Sequence, residues 1–182
     1  MNGEIGVLLV SGSVRRGSVN EAVLETVAAI APAGVTGVVF QGIGALPLFN
    51  PDLDREPLPE AVVRLRAAIA TADAILFSTP EYGGMMSGAL KNLLEWTIGG
   101  VEITDKPTGW INPSTNPAGA RATYDGLRVV LEYTGASLVP DACIAAPVDR
   151  SVIDAAGLVT DESWRLRALA ALEALVAATP AA

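Results

Sequence analysis

The sequence has no histidine and one cysteine among its 182 residues. Without histidine, a Ser-His-Asp triad, a histidine general base and a histidine-ligated zinc site are excluded. One cysteine excludes an internal disulfide. Cys143 lies in the apolar segment SLVPDACIAAPV, which favours a small core residue over a catalytic thiol because no base is nearby. These absences exclude a large part of enzyme chemistry, and we expect no bound metal.

Positive charge and long apolar runs are also scarce. Lys and Arg number 12 against 20 Asp and Glu, a formal charge of −8, which argues against nucleic acid and anionic membranes as main partners. No apolar stretch approaches the roughly 20 residues needed to cross a bilayer. The N-terminal sequence has no basic region before its short apolar run, unlike a signal peptide. We therefore expect a cytoplasmic protein.

The remaining composition is that of a globular protein. Apolar residues make up 51% of the chain and charged residues 18%, a balance typical of folded chains. A chain of this length buries about 70% of the surface that it exposes when unfolded. No internal repeat or low-complexity linker divides the sequence, so we expect one domain over residues 1–182.

Short apolar runs alternate with amphipathic stretches along the chain. Strand-like runs lie at 5–10, 35–40, 74–78, 107–111 and 137–145, and helical patterns lie at 20–30, 59–71, 87–97, 121–133 and 161–177. This alternation predicts an α/β fold with helices on both faces of a parallel sheet, because right-handed crossovers place them there. Five strands predict a doubly wound, flavodoxin-like sheet of order 2-1-3-4-5, with ligands at the carboxyl ends of the strands.

The loop after the first predicted strand, residues 11–20, is rich in serine, glycine and arginine. Its hydroxyls, its N–H groups and the positive end of the next helix form an anion cradle, to which Arg15 or Arg16 adds charge. The loop matches neither GxxxxGK[ST] nor GxGxxG, so we expect a mononucleotide phosphate. Ser18 and Glu21 also match an S-x-x-E capping box, and Ser18 can cap the helix while other N–H groups bind phosphate.

The loop after the third predicted strand, residues 79–88, carries two consecutive glycines and two methionines. Glycine lets the backbone approach a flat ligand closely, and exposed backbone amides hydrogen-bond the edge of a heterocycle. Tyr82 and the methionines offer an apolar, polarizable wall. The same residues also suit an ordinary strand-to-helix turn with buried methionines, and this loop alone does not choose between the two.

Together the two loops resemble one family, the NADPH-dependent FMN reductases with their flavodoxin-like quinone, chromate and azo reductase relatives. That family carries GS-x-R-x-x-S-x-N after the first strand and PEYN…PG-x-LKN…DW after the third. The matching residues here are Gly12, Ser13, Arg15, Ser18 and Asn20 in the first motif, and Pro80, Glu81, Tyr82, Gly88, Leu90, Lys91, Asn92 and Trp96 in the second. The resemblance runs in the expected order from residue 7 to about residue 140.

Some positions depart from the family pattern. Gly83 stands where the family usually has Asn, Ser87 where it has Pro, and Glu95 where it has Asp. The third loop, residues 112–119, is longer and richer in proline than the usual Ser-Gly-Gly segment. Within it, Asn116-Pro117 looks like a helix N-cap followed by Pro at the first helical position. These departures bear on the substrate and on turnover more than on FMN binding.

The resemblance implies FMN as the cofactor, NADPH or NADH as co-substrate and a quinone-like or other small molecule as acceptor. The residues that it implies for the FMN phosphate are Ser13, Arg15, Ser18, Val19 and Asn20. Those that it implies for the isoalloxazine ring are Pro80, Glu81, Tyr82, Gly83 and Gly84, mostly through backbone atoms, with Ser114 from the third loop. No catalytic side chain is implied, because the flavin carries the redox step. We expect Glu81 in a structural or ring-edge role.

Two other functions fit the same sequence. A flavodoxin-like electron carrier would bind FMN without a nicotinamide site of its own, and its acidic charge would suit basic redox partners. A binding protein could have kept the fold and lost turnover. The arginine-containing first loop and the PEY segment resemble the reductases more than the carriers, so we predict an NAD(P)H-dependent FMN or quinone reductase.

The predicted helix at 87–97 carries Leu90, Leu93, Leu94 and Trp96, more apolar side chains than one packed face needs. Similar proteins pair so that residues of one subunit reach the flavin of the other. We therefore expect a two-fold homodimer, or a dimer of dimers, formed partly by this helix. Trp96 is expected in the core or at that interface rather than on the flavin.

The stretch 42–57 is long for an irregular segment in a compact domain, which suggests a binding role. It either forms a wall of the acceptor pocket or seals the core, with Leu46 and Phe49 as its apolar residues in both cases. Asp52 and Asp54 are expected in solvent.

Two further side chains carry less specific expectations. Lys91 is expected in an ion pair rather than as a catalytic amine. Trp110, at the end of the fourth predicted strand, is close enough to the third loop for a place beside the ring, although a core position is favoured.

Overall fold

The computed structural model describes residues 4–116 and 118–180. Its main strands are β1 (Ile5–Ser11), β2 (Val35–Val39), β3 (Ala74–Ser78), β6 (Pro107–Asn112) and β7 (Ser137–Ala145). They form one parallel sheet in the order β2-β1-β3-β6-β7. Numbered by themselves these five strands have the order 2-1-3-4-5, so the predicted flavodoxin-like sheet is confirmed.

Five helices cross over between the strands or close the chain. They are α1 (Val19–Ala29), α2 (Glu60–Thr71), α3 (Gly88–Glu95), α4 (Arg121–Tyr133) and α5 (Glu162–Ala177). Each lies within two residues of its predicted range. Ser18, Ser87 and Asp161 begin α1, α3 and α5 with a side-chain oxygen that accepts a backbone N–H of the first turn, which satisfies a donor that the helix itself leaves free. No helix in the described ranges is long and apolar enough to cross a membrane.

The core consists of two apolar layers, one on each face of the sheet. Alternate residues of a strand point to opposite faces. Leu8 and Val10 of β1 therefore pack with residues of α2, α3 and α4, whereas Val7 and Leu9 pack with residues of α1 and α5. The central strand β3 is buried along its whole length. The sheet is thus covered on both faces, and its loops are left to form the ligand site.

A small hairpin that the sequence pattern did not predict follows β3. Strands β4 (Glu81–Tyr82) and β5 (Met85–Met86) pair antiparallel, and the loop between them is Gly83-Gly84. Both glycines have positive φ, 61° and 79°, as a type I′ turn requires. Asn-Gly is the other favoured pair in this turn, so glycine in place of the family's Asn keeps the turn. Of the two methionines, Met86 is buried and Met85 is exposed.

The stretch 42–57 packs on the core through its apolar side chains. Leu46 is buried, and the ring of Phe49 lies edge-on to Trp96 with centroids 5.1 Å apart. The Asn92 amide accepts the Phe49 N–H at 2.8 Å and donates to the Pro47 carbonyl at 2.9 Å. Two short 3-10 turns, Ile43–Ala45 and Pro51–Leu53, shorten the irregular part. These contacts favour the core-sealing role of this stretch.

Asp54 was expected in solvent, and that prediction was wrong. Its carboxylate lies 2.7 Å from the Arg66 guanidinium, and both side chains are only 12% exposed. Arg66 also donates to the carbonyl of Trp96. A partly buried guanidinium needs a counter-charge, and Asp54 supplies it. Asp52 is exposed, as predicted.

Candidate functional site

The carboxyl ends of β1, β3 and β6 meet around a cavity of about 420 Å³. Its walls come from the three loops in which the sequence predicts the site and from one residue after β7. The lining residues are Val19, Asn20, Thr79, Pro80, Glu81, Pro113, Ser114, Thr115, Asn116 and Val148. The volume is in the range of small-molecule sites, roughly 300–1,000 Å³.

The structure brings five of the eleven predicted site residues together at this cavity. They are Val19, Asn20, Pro80, Glu81 and Ser114. These five come from three loops that are far apart in sequence, so the fold itself assembles them.

The other six predicted residues lie around the cavity at different distances. Ser13 and Arg15 line a smaller adjacent cavity of about 190 Å³, which opens between the first loop and the end of β2. Ser18 is buried near the end of the first loop. Tyr82 and the two glycines form the exposed hairpin tip.

The first loop presents several hydrogen-bond donors at the start of α1. The Ser18 hydroxyl oxygen accepts the Glu21 N–H at 3.1 Å, so Ser18 caps the helix and keeps its own hydrogen for a ligand. The Glu21 carboxylate accepts the Gly17 N–H at 2.7 Å, one residue earlier than in the usual capping box. The N–H groups of Val19 and Asn20 precede the first intrahelical hydrogen bond, and among the described residues no acceptor bonds them, so they can bind a ligand.

The Asn20 side chain adds a further donor. Its Oδ1 accepts the Ser78 hydroxyl at 2.9 Å, which joins the start of α1 to the end of β3. Within residues 4–116 and 118–180, no acceptor lies within hydrogen-bond distance of its Nδ2, although Asn20 itself is buried at the cavity wall. A set of backbone N–H groups, a hydroxyl and an amide, with Arg15 close by, suits a phosphate. The FMN phosphate therefore fits the residues present.

The third loop is held in shape by its own side chains. Asn112 Oδ1 accepts the Ser114 N–H at 3.0 Å, and the Ser114 hydroxyl oxygen accepts the Asn116 N–H at 3.2 Å. The Asn116 amide donates to the Glu81 carboxylate at 3.4 Å and so joins the second and third loops. Through that bond Glu81 is fixed at the cavity edge, in agreement with a structural or ring-edge role.

Asn116 was predicted to be a helix N-cap, and that prediction was wrong. Its Oδ1 accepts the Ala118 N–H at 3.0 Å within a local turn, and α4 begins five residues later, at Arg121. Pro117, the predicted first helical residue, lies outside the described residues.

Tyr124 is a structural support of the site that the sequence did not reveal. Its buried hydroxyl accepts the Thr79 N–H at 3.3 Å and lies 3.2 Å from the carbonyls of Thr79 and Ile111, so it joins the ends of β3 and β6 under the cavity. Burial raises the pKa of Tyr124 far above its usual value, so the hydroxyl stays protonated and keeps donating. Only the three-dimensional structure brings Tyr124 next to residues 45 positions away.

Trp110 lies in the core and not at the cavity wall. Its ring packs against Tyr124, with centroids 5.8 Å apart, and the Arg128 guanidinium lies 5.3 Å above it. The favoured core position is thereby confirmed.

Ser87 takes over a connecting role where the family usually has Pro. Its hydroxyl donates to the Gly12 carbonyl at 2.5 Å and accepts the Leu90 N–H at 3.1 Å. Gly12 is needed at this point because a Cβ there would lie 2.3 Å from the Thr79 hydroxyl. This close approach joins the first and second loops at their bases.

The large apolar side chains at and near α3 are buried within the chain. Leu90, Leu93, Leu94 and Trp96 are all buried, and the Trp96 indole donates to the Pro47 carbonyl at 2.8 Å. These four side chains are therefore not available to a second subunit, and the expected dimer contact of α3 stays a prediction. Trp96 is a core residue, as expected, and Lys91 pairs with Glu95 at 2.7 Å.

Residues 5–150 match the family model described as NADPH-dependent FMN reductase. The chain belongs to that family. It is 34% identical over 168 residues to the NAD(P)H-dependent FMN reductase of Pseudomonas aeruginosa, with 91% of this chain and 90% of the relative covered. It is also 34% identical to the 2-hydroxy-1,4-benzoquinone reductase of a Burkholderia species, with 87% of each chain covered.

A solved structure of similar function has the same fold. The solved structure of FerB, a flavoenzyme NAD(P)H:(acceptor) oxidoreductase from Paracoccus denitrificans, superposes with a TM-score of 0.81 at 28% identity. The superposition covers 97% of this chain and 100% of FerB. The chain is therefore an FMN-dependent oxidoreductase that uses NAD(P)H.

Proposed function

We propose that this FMN reductase passes electrons from NAD(P)H to a quinone or a similar small acceptor, with FMN held in the 420 Å³ cavity. One observation carries the proposal. Three loops at the carboxyl ends of β1, β3 and β6 enclose a cavity, and the first of these loops lines it with hydrogen-bond donors of Val19 and Asn20. In doubly wound sheets this is where cofactors bind. The Burkholderia relative, named a benzoquinone reductase, supports the acceptor class.

The first loop would hold the phosphate. We assign the N–H groups of Val19 and Asn20, the Asn20 amide and the Ser18 hydroxyl to its oxygens, because Val19 and Asn20 line the cavity and Ser18 directly precedes them. Arg15 is exposed on the same loop and would add a charge-assisted bond by turning its side chain inward. Ser13 lies on the outer side of the loop, where its hydroxyl accepts the Arg15 N–H at 3.2 Å and supports that position.

The second and third loops would enclose the flat ring. Pro80 and Glu81 form one side of the cavity and Ser114 another, and the hairpin tip with Tyr82, Gly83 and Gly84 would form an outer wall. The bound flavin supplies the hydride chemistry. The chain's own part is to orient the ring, to exclude water and to leave one face open for the nicotinamide and the acceptor.

Glu81 has the only ionisable side chain among the described residues that line the cavity. Its carboxylate accepts a hydrogen bond from Asn116, which suits positioning of the loop more than proton transfer. We therefore assign no protein general base to the reaction.

The decisive experiment is anaerobic reduction of the FMN-loaded protein by NADPH and by NADH, followed through the flavin absorbance. A reductase loses the flavin colour rapidly and regains it when a benzoquinone is added. An electron carrier would keep its colour until a separate reductase is supplied, and that result would overturn the proposal. A protein that had lost turnover would bind FMN and remain oxidised even then.

The choice of FMN over FAD rests on the first loop, which offers one phosphate cradle and no dinucleotide motif. We expect the apoprotein to become yellow with FMN and to prefer FMN to FAD when the two compete at equal concentration. Tight FAD binding with weak FMN binding would contradict this assignment.

We also propose that the enzyme is a homodimer in the cytoplasm. Its large exposed apolar side chains include Leu48 and Val101, 83% and 80% exposed. They lie on adjacent segments, because Phe49 packs on Trp96 and the Asp54 side chain lies next to Gly99. Large exposed apolar side chains on neighbouring segments are typical of subunit contacts.

A further inference from the structure

The segment 146–160, which follows β7, bridges the third loop and α1. At its beginning the Ala146 N–H donates to the Asn112 carbonyl at 2.8 Å, and the Val148 N–H donates to the Pro113 carbonyl at 3.1 Å. Near its end the Val159 N–H donates to the Thr26 hydroxyl oxygen at 2.8 Å. The segment is thereby held at both ends, and its middle lies against the first loop.

Arg150, in the middle of this segment, bonds to the first loop. Its Nη2 donates to the carbonyl oxygen of Gly17 at 2.8 Å, although the two residues are 133 positions apart. On the other side of Gly17, the N–H donates to the Glu21 carboxylate at 2.7 Å. Two successive peptide groups before Ser18 are therefore held by side chains from outside the loop.

The held peptide group determines where the Ser18 N–H points. In a trans peptide the C=O and the following N–H point in opposite directions. When Arg150 holds the Gly17 carbonyl, it also fixes the Ser18 N–H on the side away from Arg150. Across the described residues no acceptor bonds this N–H, and it lies next to the free N–H groups of Val19 and Asn20.

We propose that Arg150 is a positioning residue for the FMN phosphate. It acts through the Gly17–Ser18 peptide and holds the donors of the first loop in their binding orientation before the cofactor arrives. Order that exists before binding need not be created on binding, so it raises affinity. The proposal rests on the proposed function in one respect, the assignment of the first loop to the phosphate.

The test compares FMN with riboflavin, which has the same ring and lacks the phosphate. Quenching of flavin fluorescence gives both dissociation constants for the wild type and for Arg150→Met, which removes the donor and keeps much of the side-chain length. We expect the Kd for FMN to rise about tenfold and the Kd for riboflavin to stay unchanged. Arg150→Lys, which retains a donor, should recover most of the loss.

Two controls test whether Arg150 acts through the fixed peptide. A control variant tests for an effect of net charge, and a salt series tests for direct attraction between Arg150 and the phosphate. Arg64→Met removes the same charge from an exposed position on α2 and should bind FMN as the wild type does. A direct long-range attraction between Arg150 and the phosphate would be screened at about 0.5 M salt, whereas the effect of a fixed peptide persists. The thermal midpoint of the apoprotein should change little, because Arg150 is exposed and lies in a short 3-10 turn.

Three results would overturn the role of Arg150: an unchanged Kd for FMN in Arg150→Met, equal losses for FMN and riboflavin, or a loss that disappears in high salt. If the wild type itself binds FMN and riboflavin equally well, the phosphate assignment of the first loop fails, and the role of Arg150 fails with it. The wild-type comparison thus shows which of the two proposals is wrong.

Discussion

Ser18 caps α1 and also lies in the proposed phosphate cradle, and one substitution separates these roles. Ser18→Asp keeps a good N-cap acceptor at a helix start that favours negative charge, but it places a carboxylate against the phosphate. We expect an unchanged or higher thermal midpoint together with an FMN Kd raised at least about tenfold, since charge-assisted bonds contribute about 1.5–3 kcal/mol each.

The matched control for this substitution is Ser18→Thr, which keeps both the cap and the hydroxyl. It should bind FMN nearly as well as the wild type does. If Ser18→Asp binds FMN with unchanged affinity, the first loop is a helix cap and nothing more.

Cys143 is predicted to be an unreactive thiol. Burial raises its pKa to about 11, although the nearby Arg128 charge and a backbone hydrogen bond from Trp110 partly oppose the shift. A raised thiol pKa lowers the thiolate fraction at any pH below it, and the thiolate is the reactive form. Alkylation by iodoacetamide at about pH 8 should therefore be much slower in the folded protein than in urea, and it should accelerate as the pH approaches 11. Equal rates in the two states would contradict this.

Individual residues of the site were predictable where a local motif identifies them. Asn20 and Glu81 lie within loop motifs whose place at the strand ends follows from the fold. Tyr124 and Asp54 gave no such signal, because their roles depend on Thr79 and Arg66, which only the folded chain brings near. The structural role of such a polar residue depends on the residue that it contacts, and the sequence alone does not identify that contact.

The β4–β5 hairpin predicts the effect of restoring the family's residue. Gly83→Asn should preserve the type I′ turn, because Asn adopts positive φ more readily than other side chains do. We expect the thermal midpoint to be equal or slightly higher, since the unfolded chain loses freedom, and the FMN Kd to stay within about twofold. Gly83→Val is the contrasting variant, because a β-branched residue at φ 61° is strained by about 1–3 kcal/mol. Strong loss of FMN binding in Gly83→Asn would show that the open backbone itself contacts the cofactor.

The stretch 42–57 gives a second prediction about the effect of a substitution. Phe49→Ala should lower the free energy of unfolding by about 2 kcal/mol, less than the roughly 3–5 kcal/mol for a fully buried Phe, because the ring that packs on Trp96 is only partly buried. The KM for a quinone acceptor should not change. Asp52→Ala, in the same stretch but exposed, is the control and should leave both quantities unaltered. A changed KM at full stability would restore the pocket-wall role.

Long periodic elements were predictable, and short ones were not. The helix at 121–133 and the strand at 74–78 have the predicted bounds because a clear apolar pattern runs through them and ends at turn residues. The two-residue strands of the hairpin and the 3-10 turns within 42–57 are shorter than any such pattern. Their shape depends on positive φ at two glycines and on contacts with α3.

For the whole molecule the prediction concerns assembly. We expect light scattering at micromolar concentration to give the mass of two chains, in agreement with the sequence-based prediction. Replacing both Leu48 and Val101 by Glu should shift the protein toward one chain without loss of fold, because both side chains are exposed in the single chain. Val129→Glu is the control, since Val129 is exposed on α4. A wild-type mass of one chain would refute the dimer.

The layout of the sheet was predictable for the whole molecule, because alternating strands and helices admit few arrangements. The extent of the domain, residues 1–182, stays a prediction. Limited proteolysis is expected to leave one resistant fragment.

The bond from Arg150 to Gly17 has a consequence for the order of events during synthesis. The ribosome releases Gly17 early, but its partner is made 133 residues later, a delay on the order of ten seconds. Until then the nascent chain can begin to pair β1, β2 and β3, yet its phosphate loop lacks the contact that fixes it. The nascent chain is therefore expected to bind the flavin more weakly until translation has passed the last strand.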